Sequence, residues 1–152
     1  MNAPSPLIEV VCEAPVDAAH WQRLTVAAVD AVSKREGVRF VRVSVRVLRD
    51  PTMALLHERH ANEAGTTDVL AFVEQGAGGL EVDLAICHDE AQRRASQLGH
   101  AGADELALYL VHGLLHAAGY VDDDDAGCAR MRGAEKDVLH ALGVGRVYPE
   151  PS

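Results

Sequence analysis

Hydrophobic and polar positions along the chain follow periods of about two and about 3.6, and the changes between them predict four strands and five helices. Leu7-Ile-Glu-Val-Val-Cys12 is short, branched and apolar, and Glu13, Ala14 and Pro15 end it, so it reads as a first strand. A helix follows, capped by Asp17, with Trp21, Leu24, Ala28 and Ala31 at helical spacing and Lys34, Arg35 and Gly37 closing it. Trp21 is expected in the core. Val38 to Leu48 alternates as a strand, with Val41, Val43, Val45 and Val47 on one face and Arg42, Ser44 and Arg46 on the other. That polar face is a candidate RNA surface, but an ordinary solvent-facing strand looks the same and is the favoured reading.

Asp50-Pro51-Thr52 predicts a turn into a short helix, Met53 to Ala61, with Leu55 and Leu56 inward, and Asn62 to Gly65 predict a loop. Thr67 to Val73 is a third strand, and Gln75-Gly-Ala-Gly-Gly79 is a hairpin turn rather than a nucleotide loop, because no helix with Lys-Ser or Lys-Thr follows it. Leu80 to Cys87 turns from alternating to continuously apolar, as a strand does beneath a helix. Asp89 to Leu98 is helical and stops at Gly99-His100. Asp104 to Ala118, apolar over much of its circumference, is a buried central helix, and Asp124 to Leu142 is a last helix with Met131, Val138, Leu139 and Leu142 inward.

At 152 residues, 48% of them hydrophobic, the chain fits one domain over residues 7–142, between a disordered start (1–6) and a loose tail (143–152). No apolar run is long enough to span a membrane, and Met1-Asn-Ala-Pro-Ser-Pro6 lacks the features of a signal peptide, so a soluble cytoplasmic protein is expected. Cys12, Cys87 and Cys128 form no Cys-x-x-Cys and are expected to be small buried hydrophobes. A net charge of −9 argues against indiscriminate coating of nucleic acid. Basic residues nevertheless cluster early in the chain, while Asp122 to Asp125 form an acidic run.

The candidate chemistry lies in His112-Gly-Leu-Leu-His-Ala-Ala-Gly-Tyr-Val-Asp122. Residues four apart on a helix share a face, so His112 and His116 can hold one ion. Gly119 then lets the chain leave the helix and turn Asp122 back toward them. With 8 histidines in 152 residues a bare His-x-x-x-His pair is unremarkable. Requiring Gly and a third ligand at these offsets lowers the chance expectation to about 0.007. Two His and one carboxylate, with room for water, describe an open catalytic zinc site. The spacing is that of the zinc-peptidase signature His-Glu-x-x-His-x-x-Gly-x-x-His with Gly113 in place of the general-base glutamate and Asp122 in place of the last His. The added negative charge makes a bound water less acidic and lets harder divalent metals compete. Asp123 or Asp124 are alternative ligands, and Asp122 is preferred.

These residues resemble the YbeY family, endoribonuclease-type rRNA maturation factors that carry His-Gly-x-Leu-His-x-x-Gly-Tyr-Asp-His. His112, Gly113, Leu115, His116, Gly119 and Tyr120 match it. Further likeness lies in Thr67-Asp-Val-Leu-Ala-Phe72, Leu84-Ala-Ile-Cys87, Gly99-His100, Glu105-Leu106, Val111, Met131 and Glu135, spanning roughly residues 40–142. The resemblance implies a single α+β domain with a mixed four-stranded sheet, helices and a metzincin-like zinc-binding central helix. It also implies one zinc ion and cytoplasmic action on ribosomal RNA near the 3′ end of the small-subunit molecule. The small ribosomal subunit is then a partner, and neither membrane nor DNA is expected.

The chain departs from the family twice. Asp122 stands where most members have a third histidine, and the family's Tyr-Arg pair before the Thr-Asp-Val-Leu strand falls on His60 and Ala61, leaving Arg59 as the nearest phosphate contact. The expected function is a single-strand-specific, metal-dependent endoribonuclease in ribosome maturation. The alternatives are a non-catalytic zinc-containing assembly factor and a metal-dependent hydrolase of a small substrate. His57, His60, His88, His100 and His140 are expected to be ordinary surface or core histidines.

Overall fold

The computed structural model describes residues 5–61 and 67–145. The side chain of Ala61, the loop expected at 62–65 and most of both expected loose ends lie outside the described residues. Four strands, β1 (Leu7–Cys12), β2 (Phe40–Leu48), β3 (Val69–Gly76) and β4 (Gly79–Cys87), form one sheet in the order β1-β2-β4-β3. β1 and β4 run parallel to β2, and β3 pairs antiparallel with β4, so the sheet is mixed. Helices α1 (Ala18–Glu36), α2 (Asp50–Ala61), α3 (His88–Leu98), α4 (Gly102–Ala117) and α5 (Asp125–Ala141) complete the α+β domain.

Sheet register and helix periodicity agree on one core. Val43 pairs with Val82, Val45 with Leu84 and Val47 with Ile86, so six branched side chains leave one face together and are all buried. Trp21, Ala28, Val29 and Val32 of α1 pack on that face beside α4. α4 also touches α3, α5, β3 and β4, and Leu106, Leu110, Val111, Leu114 and Leu115 are at most 1% exposed. Surrounded in this way, the helix is apolar nearly all round, as its sequence requires.

Local signals set the boundaries. Asp17 accepts from the amides of Ala19 and His20 to cap α1, and Gly37 ends that helix in the left-handed conformation. Gln22 of α1 turns its side-chain amide onto the open edge of β1, accepting from Val10 N–H at 3.1 Å and donating to the Ile8 carbonyl at 2.9 Å. That fills hydrogen-bonding positions that an edge strand otherwise offers to another chain.

The structure corrects three expectations. The β2 register shifts between Phe40 and Arg42, a bulge that buries Phe40 and leaves Val41 only half-buried, breaking the simple alternation. α2 begins at Asp50 rather than after the turn, which directs Met53 and Leu56 inward and leaves Leu55 57% exposed. Of the cysteines, Cys87 is buried and Cys12 half-buried, whereas Cys128 is exposed, with its thiol 3.1 Å from the Asp122 carbonyl. On the opposite face of the sheet Arg42 is held by Asp83 at 3.0 and 3.2 Å and approaches Glu81, so the guanidinium is already neutralised there. This favours the solvent-facing reading of that strand.

α2 covers only one end of the outer face, through Leu48, Met53, Ala85 and Cys87. Burial pushes the Cys87 thiol up to about 11, so it stays protonated. Asp50, at the start of α2, receives both arms of Arg93 from α3 at 2.7 and 2.9 Å, and its amide donates to Asp89 at 2.8 Å. The Arg93 hydrogen bonds hold the Asp50 carboxyl below its ordinary 3.8. A depressed folded-state value contributes stability above the unfolded value that is lost as pH falls through the folded one. Asp50→Asn should therefore destabilise by at most about 1 kcal/mol at pH 7, since this half-exposed pair is screened by solvent. Urea unfolding from pH 7 downward should show the gap closing below pH 3.8. A gap independent of pH would assign it to packing instead.

Candidate metal centre

α4 places His112 and His116 one turn apart, with their Nε2 atoms 3.0 Å from each other. Asp122 Oδ2, in the loop after the helix, lies 3.8 Å from the first and 3.7 Å from the second. Among the described residues, these three form the group whose potential ligand atoms converge, all within 4.8 Å. Donor atoms around a four-coordinate zinc at about 2.0–2.1 Å stand roughly 3.3–3.4 Å apart, a value the three separations bracket.

The second nitrogen of each ring explains why this arrangement suits a cation. His116 Nδ1 is 2.9 Å from the Tyr120 carbonyl, and His112 Nδ1 is 2.7 Å from Glu135 Oε2. A carbonyl or carboxylate only accepts, so both Nδ1 atoms carry hydrogen and, in the neutral rings, both Nε2 atoms are bare lone pairs. Two lone pairs and a carboxylate oxygen facing one another repel unless a cation lies among them. The donor set therefore fits a divalent metal, with both rings already oriented from behind.

The turn after α4 does two jobs. Gly119 has φ +112°, and Tyr120 N–H closes onto the Leu115 carbonyl at 3.0 Å while its own carbonyl faces His116. The Tyr120 hydroxyl donates to Glu36 at 3.0 Å and accepts from Arg35 at 2.9 Å, pinning the turn to the end of α1. Of the acidic run, Asp124 is taken by the α5 cap, where it accepts from Gly127 N–H at 2.6 Å. A side chain at Gly127 would strike the Val121 carbonyl. Asp122 is the member directed at the histidines.

Gly113, at the position of the peptidase glutamate, faces the sheet. A Cβ there would sit 2.9 Å from Leu84 Cδ2 and 3.2 Å from Val69 Cγ1. There is no room for a general base on that side, and close packing of α4 on β3 and β4 is what the glycine permits.

Sequence reasoning gave Glu135 no role, although a signal was present. Met131, Glu135, Val138 and Leu139 fall at i, i+4, i+7 and i+8, so the carboxylate occupies a buried stripe and needs a partner. Arg59, the expected phosphate contact, is not among the residues lining the cleft of about 580 Å³ beside His112. That cleft is bordered by Thr67 and Asp68 before β3, by Glu90 and Arg94 of α3, and by Arg132 of α5. His100, expected to be a surface or core histidine, donates from Nε2 to buried Glu105 at 2.7 Å.

Burial lowers the proton affinity of His112, but the hydrogen bond and charge of Glu135, aided by Asp68 and Asp122, outweigh it and raise the pKa above the ordinary 6.5. A raised folded-state value contributes stability that is full below the unfolded value and lost as pH rises through the folded one. In metal-free protein, histidine NMR should place the His112 titration above 6.5, and stability should fall on the alkaline side of that value. Glu135→Gln should lower the titration and flatten the dependence. An unmoved His112 signal would remove Glu135 as the cause. Gly113→Ala should cost about 1–3 kcal/mol in urea unfolding through overpacking, and a neutral result would show that Leu84 has room to move.

The sequence model of the family described as Endoribonuclease YbeY matches residues 8–143. A relative from Alteromonas mediterranea, named Endoribonuclease YbeY, is 33% identical over 123 residues, covering 78% of each chain. One of the same name from Chloroflexus aggregans is 33% identical over 142 residues, covering 86% of this chain and 91% of its own. The solution structure of TM1509 from Thermotoga maritima shares the fold, with a TM-score of 0.66 at 22% identity over 90% of this chain and 89% of that one. Since the match runs from β1 to the end of α5 and includes all three converging side chains, the chain belongs to the YbeY family.

Proposed function

We propose that this protein is a metal-dependent endoribonuclease that cuts single-stranded ribosomal RNA, at the 3′ end of the small-subunit 16S molecule, during ribosome maturation. The observation that carries the reading is the convergence of two Nε2 lone pairs and a carboxylate oxygen, each ring braced from behind, in a chain of the YbeY family. The relatives' name supports RNA as the substrate. No described helix is long and apolar enough to cross a membrane, which is compatible with work beside the small ribosomal subunit in the cytoplasm.

His112, His116 and Asp122 would hold the ion, zinc being the first choice for two imidazoles and one carboxylate. When bound, a divalent cation supplies Lewis acidity to a phosphoryl oxygen and acidifies a coordinated water. Glu135 and the Tyr120 carbonyl keep the two rings in one tautomer and orientation, and the cleft beside His112 receives the strand. RNA carries its own nucleophile in the 2′-hydroxyl, so a site without the peptidase glutamate still suits phosphodiester cleavage.

Metal analysis of protein purified without an affinity tag should find about one zinc per native chain and a marked loss in Asp122→Ala. The loaded native protein should cut a single-stranded rRNA segment and spare the duplex, and chelation or His116→Ala should abolish cutting. Intact RNA with loaded protein, together with full complementation of a deletion strain by His116→Ala, would overturn the reading in favour of a non-catalytic assembly factor.

A further inference from the structure

The cleft beside His112 is acidic by formula, since Asp68, Glu90, Glu105 and Glu135 all border it. Its carboxylates are nevertheless answered from within the fold. Glu105 is 2.7 Å from His100 Nε2, Glu135 is 2.7 Å from His112 Nδ1, and Glu90 receives Arg93 at 2.8 Å. Asp68 accepts from the Val69 N–H at 2.8 Å and from the Thr67 hydroxyl at 3.3 Å. The cation left over is Arg94. It is exposed on α3, lines the same cleft as His112, and makes no hydrogen bond or ion pair with the described residues. Its neighbour Arg93 would first have to release a two-armed pair with Asp50.

We propose that Arg94 binds a phosphodiester of the RNA strand lying in this cleft. The inference rests on the endoribonuclease reading and names a substrate contact within it. A guanidinium presents a planar fork that fits phosphate oxygens two at a time, and one without a carboxylate partner gives up only water to do so. The chain's net charge of −9 supplies no long-range attraction for a polyanion, so affinity depends on cations placed at the site. Arg132, on the α5 side of the cleft, adds positive charge near the same strand.

The test uses metal-loaded protein and a fluorescein-labelled single-stranded oligoribonucleotide with 2′-O-methyl groups, which binds but lacks the free 2′-hydroxyl. Arg94→Ala should weaken binding roughly tenfold at low salt and reduce the slope of log affinity against log salt by about 0.7, the value for one phosphate contact on a single strand. Arg94→Lys should recover part of the loss. Arg46→Ala, on the outer face of the sheet, should change neither quantity. On unmodified RNA, Arg94→Ala should raise KM with little change in kcat, and its metal content and Tm should match the native protein. Native affinity and slope in Arg94→Ala would overturn the proposal, and continued RNA cutting would then leave the nuclease reading standing. Failure of the native protein to bind the strand would overturn it as well. Arg94-dependent binding without any cleavage would keep the contact and remove the nuclease reading.

Discussion

Two imidazoles on a helix enclosed by five other elements impose the constraint on which the rest of the site depends. Each ring has two nitrogens to satisfy, and most of α4 packs against apolar side chains. The solution draws on separate parts of the chain. α5 brings Glu135 behind His112, the Gly119 turn brings the Tyr120 carbonyl behind His116, and both inward nitrogens become donors. The outward nitrogens are thereby fixed as acceptors and share one point with Asp122. The convergence of the three groups is a consequence of how the backs of the rings are satisfied.

The adjoining side of the same helix, turned to the sheet, obeys a different rule. Gly113 lies within van der Waals reach of Leu84 and Val69, so α4 can approach the sheet more closely than a larger residue would allow. One helix turn thus divides its positions between packing and chemistry. The motif resembles a peptidase signature in setting two imidazoles on one helix face ahead of a return turn. It differs at residue 113, where this fold uses the sheet as a wall.

Most of the architecture was legible because periodicity and punctuation agreed. The Asp17 cap, the Gly37 and Gly99 stops and the alternation over Val43 to Val47 each reported the element that the structure contains. The failures share a physical cause. The β2 bulge and the early start of α2 are set by partners distant in sequence, which local patterning does not encode. At the site, the spacing of His112, His116 and Asp122 could be read along one segment, whereas Glu135 and Arg94 become neighbours of His112 only when α3 and α5 pack beside α4. A charged residue within an apolar stripe announces that it has a partner without naming it.

The Tyr120 hydroxyl, held between Arg35 and Glu36, joins the turn that carries the carboxylate to a helix laid down far earlier in the chain. The histidines belong to a local segment, but the aim of the third group is borrowed from the first crossover. Without α1 the Tyr120 hydroxyl loses both of these partners, and α4 alone supplies only the pair of imidazoles. The placing of the third group is therefore tied to the seam between α1 and this turn as well as to α4 itself.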